Sequence, residues 1–283
     1  MSGWYSRALQ VVLLAAVAAV GYAKESANTT KVAGALSAEQ IAAKNEAARG
    51  GLEAWRKIQT MLWRGHMEST AAPEHIMPFV LDQERPNKTR FDLSAMNQHS
   101  VRVFDGQNGW RTRPQPNGRI DVQPFSAQDL KFAREAQTID GPLIDYKAKG
   151  NEVALLGEDT FEGRKAYRLN VRMASGEHEV IWVDAQSFLD VRLDRMSFNS
   201  AGVPGIVSIV YRDFRDVEGL KIPMVMDIGV GSGKTPDKMI IEKVELNPAL
   251  DAHTFRKPAS MRTILDPAQS AQVPPTTQEP GRP

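Results

Sequence analysis

Between residues 61 and 246 the chain is a succession of short segments in which apolar and polar side chains alternate, each closed by turn residues. This feature constrains the fold more than any other. A period of two is the mark of a half-buried strand. Parallel neighbours need crossover connections of about a dozen residues or more. Consecutive strands joined by short turns must therefore pair antiparallel, as a long meander. Met61, Trp63, Gly65 and Met67 alternate with Leu62, Arg64, His66 and Glu68. Further strands are expected at 79–84, 90–93, 101–103, 152–156, 165–173, 177–184, 188–198, 206–214, 221–230 and 238–246. Asp105-Gly106, Asn108-Gly109 and Asn117-Gly118 supply hairpin turns, because Gly and Asn accept the positive φ that such turns demand.

Two helical regions interrupt the pattern. Ser37 with Gln40 three residues on has the form of a capping box. A helix is expected to follow, broken at Gly50-Gly51 and resuming with Leu52, Trp55 and Ile58 on one face. The second helix is expected over residues 126–138, capped by Ser126, with Leu130, Ala133 and Ala136 on one side. The fold class expected is mainly β with two or three helices.

The ends set the organisation. Residues 1–23 read as a secretory signal: Arg7 is the only charge, an apolar run spans residues 8–20, and Gly21-Tyr22-Ala23 offers small residues for cleavage. That run is too short for a comfortable membrane span of roughly 20 residues. Residues 24–36 form a flexible lead-in, 37–258 a single domain, and 259–283 a Pro-rich tail without periodicity. The chain has no cysteine, so neither a disulfide framework nor an acylated cysteine is available. Without the signal, 34 basic residues face 34 acidic ones. A neutral domain lacks the positive footprint that phosphate backbones require, so no nucleic-acid partner is expected.

Motifs for chemistry fail on inspection. Residues 229–235 (Gly-Val-Gly-Ser-Gly-Lys-Thr) resemble a phosphate loop, but Ile228 stands where its first glycine is needed, and a β-branched strand follows instead of a helix. His66, His75, His99, His178 and His253 show no metal-ligand spacing, and no metal site is expected. No nucleophile elbow occurs. The paired carboxylates Glu158-Asp159 and Asp213 with Asp216 read as turn chemistry. Sequons at Asn28 and Asn87 are weak matches. No catalytic residue and no cofactor are expected; the chain reads as a non-enzyme.

The apolar stock stands out instead: Trp63, Phe79, Leu81, Phe91, Leu93, Val103, Leu169, Val171, Trp182, Val191 and Leu193, with methionines beside them. Methionine adapts to irregular apolar partners. Two short helices offer little to fill one side of so many strands, so these residues are the candidate lining of an apolar cavity.

Arg85-Pro86-Asn87-Lys88-Thr89-Arg90-Phe91, followed by Val101-Arg102-Val103-Phe104-Asp105-Gly106 and Trp110, resembles the LolA/LolB-like periplasmic lipoprotein-carrier superfamily. So do Tyr211-Arg212-Asp213-Phe214 with Gly219-Leu220-Lys221-Ile222-Pro223, and the closing Asn247-Pro248-Ala249-Leu250-Asp251 with Phe255 and Pro258. The resemblance covers about residues 50–258. It implies an unclosed antiparallel half-barrel, covered by helices on its concave face, that carries acyl chains of lipids or lipoproteins between membrane donor and acceptor proteins in the periplasm, as a monomer. Arg64 and Arg90 are the candidate charges at its mouth. The two helical regions are expected to close over the empty cavity and swing aside on loading. A second reading is an envelope sensor that reads lipid or lipoprotein and signals to a membrane partner. Such regulators carry a further C-terminal domain, whereas a Pro-rich tail follows here.

Overall fold

The computed structural model describes residues 36–72, 74–96, 98–115, 119–136, 139–198, 204–230 and 235–259. The expected signal, the sequon at Asn28, the turn at Asn117-Gly118, the end of the second expected helix, the middle of the 229–235 loop and the tail from 260 onward lie outside the described residues.

Among the described residues thirteen strands form one unclosed antiparallel sheet. The first arm comprises β1 (Thr60–Glu68), β2 (Ile76–Glu84), β3 (Lys88–Ala95), β4 (Gln98–Phe104), β5 (Gly109–Pro114) and β6 (Ile120–Pro124). The second comprises β7 (Glu152–Phe161), β8 (Arg164–Arg172), β9 (His178–Asp184), β10 (Asp190–Phe198), β11 (Pro204–Val217), β12 (Leu220–Val230) and β13 (Asp237–Leu246). Each arm is a meander. The arms meet where the first strand, β1, pairs with the last, β13. Gly65 lies at a register shift in this seam, where a Cβ would come within 1.9 Å of the Ile240 carbonyl oxygen.

Among the described residues three helices accompany the sheet: α1 (Ala38–Ala48), α2 (Leu52–Arg56) and α3 (Ala127–Ala136). The Ser37 hydroxyl accepts from the Gln40 backbone N–H, and the Gln40 side chain accepts from that of Ser37 at 2.8 Å, so α1 opens with the expected capping box. Gly50, at φ +114°, separates α1 from α2 and leaves no room for a side chain: a Cβ would lie 2.5 Å from the Gly219 oxygen.

The strand order explains the curvature. β6 and β7 are the two outer edges, and residues 125–151 must carry the chain from one to the other. Laid flat, twelve gaps of about 4.8 Å would set these edges roughly 58 Å apart. α3 spans only about 15 Å, and residues 139–150 are wound into turns. So short a connection requires the sheet to curl its edges together, as a half-barrel does.

Cross-strand partners share a face. On one face, the core face, Phe79, Phe91, Leu93 and Met61 pack with Trp55 of α2 and with Ile139 and Ile144. On the same face of the second arm, Leu169, Val171, Ile181 and Leu193 pack with Ile41 and Ala42 of α1 and with Leu143. Among the described residues the opposite face is covered locally, where Phe255 and Leu250 of the closing segment lie on Val101 and Val103. β4 is therefore buried on both sides.

Two local expectations need correction. Gly109 is not a turn residue; it begins β5, and Phe125 lies against it so closely that a Cβ would meet the ring at 2.0 Å. The neighbouring turn uses Gly106, at φ +98°. The strand expected at 152–156 runs on to Phe161, because a register shift between Leu155 and Gly157 breaks the alternation without ending the strand. No helix among the described residues is long and apolar enough to cross a membrane.

Candidate functional site

A cavity of about 170 Å³ lies between the core face and the segments packed on it. Its sheet wall includes Trp63 of β1, Ile181 of β9, Leu193 and Arg195 of β10, Ile209 and Tyr211 of β11, and Ile222 and Met226 of β12. Arg49, Trp55 and residues 139, 141, 142 and 143 close it from the other side.

One end of this wall is polar. Asp190 accepts from Asn45 Nδ2 at 2.8 Å and from Arg49 Nη1 at 3.2 Å, which ties α1 to β10. Burial pushes the Asp190 carboxyl above its ordinary range, against the pull of Arg49. Burial also raises the Tyr211 phenol, with Asp190 and Glu179 adding to the effect, so it remains a neutral donor. Arg195 faces Glu179 across β9 and β10, and its guanidinium lies 4.3 Å from the centre of the Phe132 ring of α3. The buried N–H groups Arg49 Nε, Arg195 Nε and Trp63 Nε1 have no acceptor among the described residues. Buried donors of this kind are uncommon in folded proteins. All three belong to residues of the cavity wall.

The covering segment 139–150 is pinned through Asp140, which is buried. Its carboxylate accepts from Arg85 Nη2 at 2.7 Å and from Lys149, and its backbone carbonyl accepts from Arg49 Nη1 at 3.1 Å. Arg85 also donates to the carbonyls of Ile58 and Trp55. Burial pushes the Lys149 ammonium down, with Asp140 acting against it. Arg85 thus joins the end of β2 to α2 and to the covering segment. Asn87, from the same Arg-Pro-Asn stretch, donates to the carbonyl of Arg134 at 3.0 Å and holds the end of α3.

α3 touches both arms, with unequal attachments. Toward the first arm, Asp129 meets Arg102 of β4 at 3.2 Å and Arg111 of β5 at 3.7 Å; the Arg102 and Asp129 side chains are only 7 % and 4 % exposed. Phe104, Phe125 and Ala133 pack beside them. Toward the second arm, Lys131 meets Glu177 with side chains 39 % and 44 % exposed, and Phe132 covers Arg195. The first attachment is a buried ion pair; the second joins a half-exposed ion pair to a ring laid on a half-buried guanidinium.

The structure sorts the apolar residues singled out in the sequence. Trp63, Phe79, Leu81, Phe91, Leu93, Leu169, Val171 and Leu193 lie on the core face. Of these only Trp63 and Leu193 reach the cavity; the rest are packed side chain to side chain. Val103 and Trp182 point the other way. Val103 sits under Phe255. Trp182 lies between the Arg168 and Arg192 guanidinium groups at 5.1 and 5.2 Å and donates to Asp194, so its outward ring is sheathed by cations. Val191 is buried at the register shift between Asp190 and Arg192. Arg64 and Arg90 lie on the outer face, away from the cavity lining. Arg64 faces Glu245 at 3.7 Å, and Arg90 binds Asp92 and the Thr254 carbonyl, both on the outer face.

No protein-family profile and no curated protein sequence matches the chain. Solved structures do. An outer-membrane lipoprotein-sorting protein domain from Vibrio parahaemolyticus aligns with a TM-score of 0.51 at 12 % identity, covering 77 % of this chain and 95 % of that one. A DUF1329 family protein from Desulfovibrio piger aligns with a TM-score of 0.51 at 11 % identity, covering 77 % and 96 %. A LolA superfamily protein from Nitrosomonas europaea gives 0.51 at 13 % identity, over 79 % of this chain and 99 % of that one. The curled, unclosed antiparallel sheet of this chain is a LolA/LolB-like fold.

Proposed function

We propose that the chain is a periplasmic carrier whose single domain, residues 37–258, takes acyl chains of lipids or lipoproteins into the space between the core face and its covering segments. In this reading residues 1–23 direct export and 259–283 form a separate tail. The observation that carries it is the cavity itself, roofed by segments whose attachments to the two arms differ in strength. The LolA-like fold agrees with it.

The size of the cavity dictates how loading works. An apolar cavity of about 150 Å³ holds a benzene-sized molecule, so the closed cavity of about 170 Å³ holds the start of an acyl chain and no more. Loading therefore displaces the cover. Each buried methylene contributes about 0.8 kcal/mol, so a long chain returns on the order of 10 kcal/mol gross. Without the cover, the empty face would be an exposed apolar patch prone to association. α3 does not itself line the cavity, but it leads into the covering segment and its Phe132 lies on Arg195 of the wall. It moves with the cover, pivoting on Arg102–Asp129 and parting at Lys131–Glu177 and Phe132–Arg195. The polar end, with its spare N–H donors, suits the ester or carboxylate oxygens of the head.

Mass spectrometry of organic extracts from the exported protein tests this directly. The expected result is phospholipid, fatty acid or lipopeptide near one equivalent. Clean extracts from a protein that also rejects fluorescent fatty acids would rule the carrier out, whereas co-purification of a membrane regulator without lipid would favour the sensor. The direction of opening has its own test. Lys131→Ala should change stability by less than about 1 kcal/mol, as exposed pairs do, and should speed fatty-acid association several-fold in stopped flow. An unchanged association rate would place the opening elsewhere.

A further inference from the structure

The register of four adjacent strands sets four methionines side by side on the core face. Met77 of β2 pairs with Met67 of β1, Met67 pairs with Met239 of β13, and Met239 pairs with Met226 of β12. The next residue in the row is Tyr211, the partner of Met226 on β11. Met226 and Tyr211 both line the cavity; Met67, Met77 and Met239 lie behind it, buried and packed. At five strands and about 4.8 Å a gap, the row runs roughly 19 Å from the polar end of the cavity into the first arm.

Elsewhere the core face is built mainly from Leu, Ile, Val and Phe, whose branched or planar side chains fill space in fixed rotamers. Methionine is unbranched, has three rotatable bonds, and repacks around irregular apolar partners at little loss. A line of such side chains, leading from a small cavity whose far wall carries a phenol and two guanidinium groups, is a track that a flexible chain can open by pushing thioethers aside.

We propose that the ligand is a single-chain amphiphile with a carboxylate or phosphate head, whose head rests at Tyr211, Arg49 and Arg195 and whose hydrocarbon displaces the Met226–Met239–Met67–Met77 row. This rests on the carrier reading and names the site and ligand class within it. Once the cover is displaced, the track opens by side-chain motion and leaves the β1–β13 seam paired.

The test uses the full mature chain, with palmitate and hexanoate as probes. In the wild type carrying ¹³C-methyl methionine, palmitate should shift the Met226, Met239 and Met67 methyl signals, while hexanoate should reach only Met226 of this row, beside Met173 of the cavity wall. The double variant Met67→Ile, Met239→Ile keeps volume but stiffens the track. It should bind palmitate at least about tenfold more weakly, the equivalent of roughly two buried methylenes, with hexanoate binding unchanged. Palmitate that binds without moving the Met239 and Met67 signals overturns the track, and so does a folded double variant with wild-type palmitate affinity. Wild-type protein that binds neither fatty acid overturns the single-chain ligand, and takes the carrier reading with it only where its organic extracts are clean as well, so the two failures are told apart.

Discussion

Replacing Asp129 with alanine is expected to destabilise the folded chain by about 3–5 kcal/mol, the usual penalty for removing one partner of a buried ion pair. Asp129 closes a capping box with Ser126 and faces Arg102 across a contact shielded from water. Its loss would take the carboxylate from the buried Arg102 guanidinium, which lies 4.6 Å from the centre of the Phe125 ring, and cut the fixed end of α3 from the first arm. At about 2–4 °C per kcal/mol for a domain of this size, the melting temperature should fall by roughly 10 °C. The pH dependence gives a second readout. Burial alone would raise the Asp129 carboxyl, yet the Ser126 hydroxyl and backbone N–H, Arg102 and Arg111 hold it below the ordinary Asp range. A carboxyl depressed on folding contributes in full above its unfolded value of about 3.9, and the contribution fades as pH falls through the folded value. The stability gap between wild type and Asp129→Asn should accordingly be full at neutrality and close below about pH 4. Urea titrations across that range check both numbers; a gap that stayed constant into acid would dissociate the effect from this carboxylate.

Gly65→Ala is expected to be as damaging, by steric means. The new methyl would meet a main-chain oxygen at 1.9 Å, and a backbone atom in a paired strand has nowhere to retreat. Overpacking a well-filled position typically destabilises by 1–3 kcal/mol; here about 3 kcal/mol or more is expected, because the clash falls on the seam joining the arms. Amide exchange should accelerate across β1 and β13 while the hairpins within each arm stay protected. Uniform protection in the alanine variant would mean that the bulge at Arg64 and Gly65 can relax.

What could be read from the sequence follows physical range. The capping box at Ser37 and the break at Gly50-Gly51 depend on neighbours in the chain, and both were legible. Most strands were legible because one face is buried and the other wet. That rule fails where its premise fails. β4 is buried on both faces by Phe255 on one side and Phe125 with α3 on the other, so Val103 carries no sign of which way it points. Trp182 is large and apolar yet faces outward, because two arginines cover it. The segment 139–150 supplies Ile139, Asp140, Leu143 and Ile144 to the interior with no period at all, and nothing local announces it. The polar wall left a trace that phase could have revealed: Glu179 and Arg195 share the inward phase of Ile181 and Leu193. That Arg49 meets Asp190, or that β1 pairs with β13, is a matter of tertiary assembly alone.

The pairing of first strand with last has a temporal consequence. Each arm can assemble hairpin by hairpin as it is made, since every one of its partners is the next strand along. The join between them must wait for residues 237–246. Until then β1 presents a bare edge and an uncovered greasy side, the condition in which strands find the wrong neighbour. The chain would be most vulnerable in that interval, and a helper that shields β1 until its final partner arrives would raise the yield more than one acting on the finished fold.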